Sequence, residues 1–204
     1  MKQKTIFLEH GEADEWFLRN LGALGKYDPV TPLIEELGIK PKYVLEVGCA
    51  NGWRLNKLRD KFNCGILGVE PSMKAGIDGA RLKVPIHQMT ASTLPVTTGG
   101  FDMIIYGFSL YLTDPEDWLT IAAEGDRALA DGGHIVIHDF AGPETPTAKV
   151  YEHRLGVMAY HAPFERLWLG HPRYQTVMYR DGAHDDGVIV LRKRPIKESV
   201  RIIP

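Results

Sequence analysis

Cysteine is scarce in this sequence of 204 residues, in which Cys49 and Cys64 are the only two. Their spacing fits neither a CxxC redox pair nor a zinc site, so a disulfide-stapled scaffold and a zinc finger are excluded. Long apolar runs are also missing, and the stretch Ile6–Leu8 is too short for a signal-peptide core. We therefore expect a reduced, cytoplasmic setting and no membrane partner.

A charge excess of either sign is absent as well, because 24 Lys and Arg face 26 Asp and Glu, and the formal net charge is -2. Without a cationic field, nonspecific binding of nucleic acid is not expected. No repeat or low-complexity tract interrupts the chain, and its length suits one domain spanning residues 1–204. The composition predicts a globular protein. It does not fix the oligomeric state, and a monomer or a homodimer is expected.

From residue 43 onward, short apolar runs alternate with longer amphipathic stretches, which is the rhythm of βαβ units around a parallel sheet. Each run is apolar in consecutive positions, as expected for strands covered on both faces. The predicted strands are Tyr43–Val47, Ile66–Val69, Ile86–Met89, Phe101–Tyr106 and His134–Asp139. Two later runs, Tyr174–Tyr179 and Val188–Leu191, flank a polar turn and predict a closing antiparallel hairpin. The fold class is therefore α/β.

One helix carries clear signals at both ends. Asp114 is placed to cap its N-terminus, and Pro115 suits the first helical position. Its apolar stripe extends to Leu129, and Gly132 with Gly133 would stop it. The sequence predicts a helix between these two signals.

The segments before and after the βαβ region are predicted to pack over the sheet. One helix is expected around Ala13–Asn20 and another after Pro29 or Pro32. The single domain thus divides into a helical cap (1–40), a ligand-binding core (41–140), a lid (141–174), and a closing hairpin with its tail (175–204).

The segment that carries chemistry is EVGCANG, residues 46–52, a small-residue loop between the first strand and a helix. Such a loop lets a nucleotide-like ligand approach the backbone closely. A dinucleotide fingerprint would need glycine where Ala50 and Trp53 stand, and no phosphate-binding lysine motif is present. Glu70 ends the second strand, where a carboxylate can accept both hydroxyls of a ribose.

These motifs, taken in order, resemble the class I S-adenosylmethionine-dependent methyltransferases over roughly residues 40 to 140. The residues that carry the resemblance are VLEVGCANG (44–52), GVEPS (68–72), Leu94-Pro95, Phe101-Asp102 and LADGG (129–133). The resemblance implies a Rossmann-like sheet of seven strands, mostly parallel with a closing antiparallel C-terminal hairpin. It also implies S-adenosylmethionine as cofactor and S-adenosylhomocysteine as product.

The resemblance further implies which residues contact that cofactor. Glu46 would lie near the methionine amino group, the loop would pass beneath the adenosine and methionine portions, and Glu70 would hold the ribose diol. The implied cofactor-binding residues are Glu46, Gly48, Cys49, Ala50, Asn51, Gly52, Glu70, Pro71, Ser72, Thr90, Ala91, Ser92, Tyr106, Gly107 and Phe108. A sulfonium and an ammonium group suit a loop flanked by carboxylates better than a pyrophosphate cradle would.

Two positions depart from the family pattern. Glycine is usual where Ala50 stands, and the change is mild if that residue has a negative φ. The family also often has an acid four positions before Leu94, to hold the adenine amino group, but this chain has hydroxyl residues there. The Thr90 and Ser92 hydroxyls and the Ala91 N–H could still serve, because adenine needs one acceptor and one donor.

Several subclasses of the family lose support. The Asn/Asp-Pro-Pro-aromatic signature of enzymes that methylate exocyclic base nitrogens is absent after the fourth strand. Magnesium-assisted members would carry a carboxylate there, where Tyr106 and Gly107 stand. His134 and His138 would be about 13 Å apart on a strand, too far to share one ion. We expect Cys49 to be a small buried residue and not a nucleophile, and we predict no metal.

The lid mixes basic, histidine and aromatic side chains, which suits a small anionic or hydroxyl-rich acceptor. The candidate substrate-binding residues are Tyr27, Arg154, Tyr160 and Arg166, and the candidate bases are His153, Asp139 and Tyr111. Histidine titrates nearest neutral pH, which favours His153. The sequence thus predicts methyl transfer to an oxygen or nitrogen of a small molecule. A cofactor-binding regulatory protein without turnover, a Rossmann oxidoreductase, and a protein or RNA methyltransferase remain as alternatives.

Overall fold

The structure, a computed structural model, describes residues 2–196. Its strands are β1 (Tyr43–Val47), β2 (Gly65–Val69), β3 (Ile86–His87), β4 (Phe101–Gly107), β5 (Leu129–Phe140), β6 (Thr147–Val150), β7 (Met158–His161), β8 (Tyr174–Asp181) and β9 (Asp186–Lys193). Seven of them form one sheet in the order β3-β2-β1-β4-β5-β9-β8. The first five pair in parallel, and β9 joins β5 antiparallel. The predicted α/β, mostly parallel, Rossmann-like sheet with its closing hairpin is confirmed.

The helices cover both faces of this sheet. They are α1 (Gln3–Glu9), α2 (Glu12–Asn20), α3 (Val30–Glu36), α4 (Trp53–Phe62), α5 (Met73–Arg81), α6 (Trp118–Ala128) and α7 (Arg166–Leu169). Within residues 2–196, no helix combines the length and the apolar character that crossing a bilayer requires.

Two apolar cores sandwich the sheet, which is why its central strands are apolar at consecutive positions. Val44 of β1 and Ile105 of β4 belong to the core that includes Leu33 of α3 and Leu55 of α4. The next residue along β1, Leu45, belongs to the opposite core, which includes residues of α6. Alternate residues of one strand thus reach opposite sides of the sheet.

The helix with clear end signals differs from its prediction. A 3-10 turn occupies Pro115–Asp117, and α6 begins at Trp118 and ends at Ala128. Asp114 makes no capping hydrogen bond, because its carboxylate accepts from the Gln3 N–H at 2.8 Å. Leu129 is the first residue of β5, so the helix ends before Gly132. The apolar stripe predicted too long a helix, because the buried strand that follows α6 is apolar as well.

Strand ends also shift from their predicted positions. Strand β3 ends at His87, two residues before the predicted end, and β5 begins five residues earlier than predicted. Its early start passes through Gly132, whose φ is 85°, and the pairing register with β4 shifts between Phe101 and Met103. A glycine with positive φ lets the chain form this irregularity without ending the strand.

The cap and lid lie over the carboxyl ends of the parallel strands. Helix α2 matches its prediction, α3 follows Pro29, and α1 was not predicted. The lid contains the β6–β7 ribbon and α7, while β8 begins the closing hairpin at Tyr174. The predicted tail beyond residue 196 lies outside the described residues.

Candidate functional site

A cleft opens at the carboxyl ends of β1, β2 and β4. Ligands of open α/β sheets bind at this edge, where the loops after the strands meet. The predicted cofactor residues that line the cleft are Gly48, Glu70, Pro71, Thr90, Ala91, Ser92 and Phe108. The fold therefore brings together the loop after β1, Glu70 and residues 90–92, which are far apart in sequence.

The loop after β1 turns sharply because Gly48, Ala50 and Gly52 have φ values of 73°, 49° and 73°. A Cβ on Gly48 would overlap the Ser109 side chain, and one on Gly52 would lie 2.6 Å from Val84. Glycine is therefore needed at both positions. The negative φ that would make Ala50 a mild replacement is not found, and its left-handed backbone costs on the order of 1 kcal/mol.

Glu70 ties this loop to the start of α5. Its two carboxylate oxygens accept hydrogen bonds from the Ala50 N–H and the Ser72 N–H, each at 2.9 Å. Each oxygen keeps a further acceptor position, which is what a ribose diol requires. Burial raises the pKa of Glu70 to about 7, although the two backbone donors oppose the shift.

Glu46, the next-to-last residue of β1, forms a buried ion pair with Arg54 of α4. Arg54 also lies near Asp28, with 3.5 Å between its Nε and the Asp28 Oδ1. Burial raises the pKa of Glu46 to about 7, against the attraction of Arg54. Gly107 leaves room for this pair, because a Cβ there would overlap the Arg54 Nη1.

One oxygen of that carboxylate, Glu46 Oε2, is buried and finds no hydrogen-bond partner among residues 2–196. Such an acceptor at the end of β1 fits the ammonium group that the family places there. Together with the glycine cradle and Glu70, it shows that the residues present suit S-adenosylmethionine.

The segment after β3, which the resemblance assigns to adenine, lines one end of the cleft. The hydroxyls of Thr90 and Ser92 lie 3.1 Å apart, and Ala91 between them is buried. Asp117, which no local motif indicates, also lines the cleft and pairs with Lys2 at 2.9 Å. The hydroxyl and backbone groups expected from the sequence are present, and a remote carboxylate joins them.

Tyr111, one of the candidate catalytic residues, does not line the cleft but contacts Trp16 and Phe108, which do. Its hydroxyl accepts a hydrogen bond from Trp16 Nε1 at 3.4 Å, and its ring meets Phe108 edge-on at 6.5 Å. Burial raises the pKa of Tyr111, so its phenol stays protonated near neutral pH. Asp139 accepts the N–H groups of Leu110 (3.0 Å) and Tyr111 (3.3 Å), and burial raises its pKa to about 7. Asp139 therefore holds the turn that carries Tyr111.

His153 lies in the exposed turn between β6 and β7, outside the cleft lining. Its ring meets Tyr151 edge-on at 5.2 Å. The Tyr151 hydroxyl in turn accepts a hydrogen bond from Arg19 of α2 at 3.2 Å. The structure places His153 near the rim of the cap and does not bring it to Tyr111.

The candidate substrate-binding residues do not line the cleft either. Their contacts are Arg154 with the His10 carbonyl (3.2 Å), Tyr160 edge-on to Trp118 (5.8 Å), Arg166 with Glu144 (3.2 Å), and the Tyr27 hydroxyl with the Ala183 N–H (3.2 Å). They occupy separate parts of the cap and lid.

Some predicted cofactor residues have side chains that face away from the cleft. Tyr106 packs against Trp168 in the core on the α6 side, with 5.2 Å between the rings. Asn51 donates to Asp78 at 2.8 Å. Cys49 is buried, and burial raises its thiol pKa well above the usual value, which agrees with its expected role as a packing residue.

Sequence reasoning missed the contribution of α1 and of Ser109 to the cleft. Lys4 and Phe7 line it from α1, and Ser109 lines it next to Gly48. The signal for α1 was present in Ile6–Leu8 but was too short to identify a helix. The contact of Ser109 depends on the spacing of two neighbouring strands.

Comparison with known proteins agrees with this geometry. A family model described as a methyltransferase domain matches residues 44–133, which contain the loop, Glu70 and the segment after β3. No curated protein matches the chain.

Solved structures share the fold at low identity. An S-adenosylmethionine-dependent methyltransferase from Methanosarcina mazei aligns with 81% of this chain and 98% of its own, with TM-score 0.68 and 16% identity. The 1,6-didemethyltoxoflavin-N1-methyltransferase of Burkholderia thailandensis covers 92% and 90%, with TM-score 0.70 and 16% identity. Geranyl diphosphate C-methyltransferase of Streptomyces coelicolor A3(2) covers 81% and 77%, with TM-score 0.63 and 13% identity.

The Burkholderia and Streptomyces enzymes are named for different acceptors, so sharing this fold does not identify an acceptor. The loop geometry, the strand order and the matching domain all indicate that residues 44–133 are the part of the protein that binds the cofactor. Residues 44–133 thus form a methyltransferase domain, and the chain shares its fold with S-adenosylmethionine-dependent methyltransferases of known structure.

Proposed function

We propose that the chain transfers a methyl group from S-adenosylmethionine to an oxygen or nitrogen of a small, anionic or hydroxyl-rich molecule. The observation that carries this proposal is that helices α1 and α2 cover the cleft. We call these two helices the roof. Lys4 and Phe7 of α1 and Ala13 and Trp16 of α2 line the cleft from above. A macromolecule would have to displace these helices to reach the methyl donor.

The roof is fastened to the turns that follow β4. Gln3 donates its N–H to Asp114 at 2.8 Å and its side-chain amide to the Leu112 carbonyl at 3.0 Å. Lys4 pairs with Asp117 at 3.2 Å. These contacts tie α1 to the wall of the cleft and restrict its opening.

A cluster of polar side chains at the rim of the cleft supplies hydrogen-bonding groups for the acceptor. Arg19 pairs with the buried Glu12 and donates to the Tyr151 hydroxyl, while Trp16 donates to Tyr111. A guanidinium with neighbouring hydroxyls suits an anionic or hydroxyl-rich molecule. Tyr27, Arg154, Tyr160 and Arg166 stay candidates for contacts farther out in the cap and lid.

The cofactor supplies an electrophilic methyl on a sulfonium, so the chain mainly has to hold the acceptor, exclude water and take up one proton. We assign Tyr111 the role of orienting the acceptor through its phenol, with Asp139 holding the backbone of Tyr111. His153 stays a candidate base, and it lies in the exposed turn between β6 and β7, outside the cleft lining.

The test begins with calorimetry of S-adenosylhomocysteine and continues with S-adenosylmethionine labelled in its methyl group. The labelled cofactor is incubated with separate small-molecule, protein and RNA fractions of a cell extract. Label is expected in the small-molecule fraction only. Label in protein or RNA would contradict the acceptor class, while binding without any transfer would favour a regulatory protein.

A further inference from the structure

Phe108, the first residue after β4, has a backbone conformation that bulky residues avoid. Its φ is 48°, in the left-handed region where glycine is usual. Its N–H donates to the His138 carbonyl at 2.7 Å, so the neighbouring strand β5 holds this conformation. Strained residues that persist in a fold concentrate at functional sites. Since glycine would adopt the same turn without strain, the phenyl ring is the feature that the strain keeps in place.

The Phe108 ring is half-buried and lines the cleft. Three rings that lie outside the cleft lining meet it edge-on, those of His138 (4.4 Å), Phe140 (5.2 Å) and Tyr111 (6.5 Å). Several edge-on contacts together fix the plane of an aromatic ring. Phe108 therefore presents a fixed aromatic surface to the cleft.

A second aromatic side chain, Trp16, lines the cleft from the roof. Its Nε1 donates to the Tyr111 hydroxyl at 3.4 Å, so Tyr111 contacts both Trp16 and Phe108. Trp16 comes from a helix above the strand ends and Phe108 from the end of a strand, so the two rings lie on different sides of the cleft. We call the space between Trp16 and Phe108 the aromatic slot.

The aromatic slot lies at the end of the cleft away from residues 90–92. Phe108 follows β4 and residues 90–92 follow β3, in a sheet whose order is β3-β2-β1-β4. With about 4.8 Å between neighbouring strands, the separation across the sheet is about 14 Å. Glu70, at the end of β2, lies between them. A cofactor with adenine at residues 90–92 and ribose at Glu70 would direct its sulfur towards the aromatic slot.

Arg19 provides N–H donors next to the aromatic slot. It lies three residues after Trp16 on α2, so the two side chains are neighbours on the helix surface. Arg19 donates to Glu12 and to the Tyr151 hydroxyl. Both contacts use Nη2, which leaves the other N–H donors of the guanidinium for a ligand. Aromatic walls favour a flat aromatic ring, and a guanidinium favours an anionic group attached to it.

We propose that the methyl acceptor is a flat aromatic molecule that stacks between Trp16 and Phe108, with an anionic group directed towards Arg19. Phe108 is the specificity-determining residue, and its backbone keeps the ring in the slot. A phenolic oxygen or ring nitrogen of the acceptor forms the bond to the methyl carbon. The methyl–sulfur bond breaks with its electron pair moving to sulfur, and the O–H or N–H proton of the acceptor is released to water. This inference rests on the proposed function, because it requires methyl transfer to a small molecule.

The first test determines what the labelled product is. S-adenosylmethionine labelled in its methyl group is incubated with the protein and the small-molecule fraction of a cell extract, and the labelled product is separated from the cofactor. Its mass spectrum and ultraviolet absorbance should show an aromatic ring that carries the new methyl group. A labelled product without an aromatic ring would overturn the inference and leave the proposed function standing. Label in no small molecule would overturn both.

The second test measures kinetics with the unmethylated form of that product. Phe108→Leu keeps an apolar side chain and removes the aromatic face, so the KM for the acceptor should rise about three- to tenfold. The resemblance implies Phe108 as a cofactor contact, whereas the inference assigns its ring to the acceptor. Calorimetry should therefore show S-adenosylhomocysteine affinity changed by less than about twofold. Phe62→Leu, the same substitution in the core on the α4 side, is the control and should leave both quantities unchanged.

Trp16 supplies a second pair of variants. Trp16→Phe keeps an aromatic face and should retain most of the acceptor affinity, whereas Trp16→Leu should raise the KM as Phe108→Leu does. A cofactor-binding role of Phe108 would weaken S-adenosylhomocysteine binding as much as it raises the KM. A purely structural role would lower kcat and weaken both ligands together. Either result, or an unchanged KM in both leucine variants, would overturn the inference.

Discussion

At the scale of single residues, Glu70 should determine cofactor affinity most directly. Glu70→Gln replaces an oxygen that accepts a backbone N–H by an amide that cannot. If the proposed function is right, it also removes the charge that a ribose diol would meet. We expect S-adenosylhomocysteine to bind about 10- to 100-fold more weakly by calorimetry. Glu152→Gln, an exposed carboxylate in the lid turn, is the matched control and should bind normally. Equal affinity in both variants would remove Glu70 from the site.

Gly107 is a second single-residue determinant, because it leaves room for the pair of Glu46 and Arg54. Gly107→Ala should lower the free energy of unfolding by about 1–3 kcal/mol, since the buried ion pair must move. Gly76→Ala in α5 is the control, because nothing lies within 4 Å of a Cβ there, and it should raise stability by about 0.5–1 kcal/mol. Urea unfolding measures both. A neutral Gly107→Ala would mean that the pair tolerates displacement.

At the scale of elements, the roof depends on how α2 is attached to α5. Asp14 of α2 accepts from the Ser72 hydroxyl at 2.7 Å and from the Lys74 N–H at 3.0 Å. Asp14→Ala should loosen the helix that carries Ala13 and Trp16, and so weaken S-adenosylhomocysteine binding by about tenfold.

The neighbouring carboxylate supplies the control for this prediction. Glu15 is exposed and lies 4.0 Å from the Lys74 ammonium, so Glu15→Ala should leave binding unchanged. Calorimetry on both variants gives the comparison. Equal binding by Asp14→Ala would show that the roof does not need this anchor.

At the scale of the whole molecule, stability should fall as the pH rises from 6.5 to 8. Burial raises the folded-state pKa of Glu46, Glu70 and Asp139 to about 7, so the folded protein binds protons that the unfolded chain has released. The stabilisation that comes from these three protonated carboxyl groups is fully present below the pKa of an ordinary carboxyl group. It is lost as the pH rises through 7. His134 and His138 have lowered pKa values, which act below 6.5 and in the opposite direction.

Urea unfolding at several pH values measures this effect. The three carboxyl groups together should reduce the free energy of unfolding by about 2 kcal/mol between pH 6.5 and 8. Asp139→Asn should remove about a third of that slope. A flat or rising profile in the unaltered protein would show that these carboxyl groups stay ionised when buried.

Much of this architecture could be predicted because it depends on local patterns. The runs at Tyr43–Val47 and Phe101–Tyr106 are strands because their apolar positions are consecutive, and Gly48 and Gly52 turn the loop because their backbone is left-handed. The start of β5 could not be predicted in the same way. Leu129 is buried whether it ends a helix or begins a strand, so the apolar pattern alone does not distinguish the two.

The sequence by itself determined the fold class, the sharp turn at Gly48 and Gly52, and Glu70 at the end of the second strand, since each follows from residue types at close spacing along the chain. Only the tertiary structure decided that α1 roofs the cleft, that Tyr111 contacts two lining residues while His153 lies in an exposed turn, and that His138 meets Asp186. Those contacts join residues distant in sequence, 48 positions apart for the last pair. Strand order and side-chain packing determine these contacts, and neither can be predicted from the local sequence pattern of one chain.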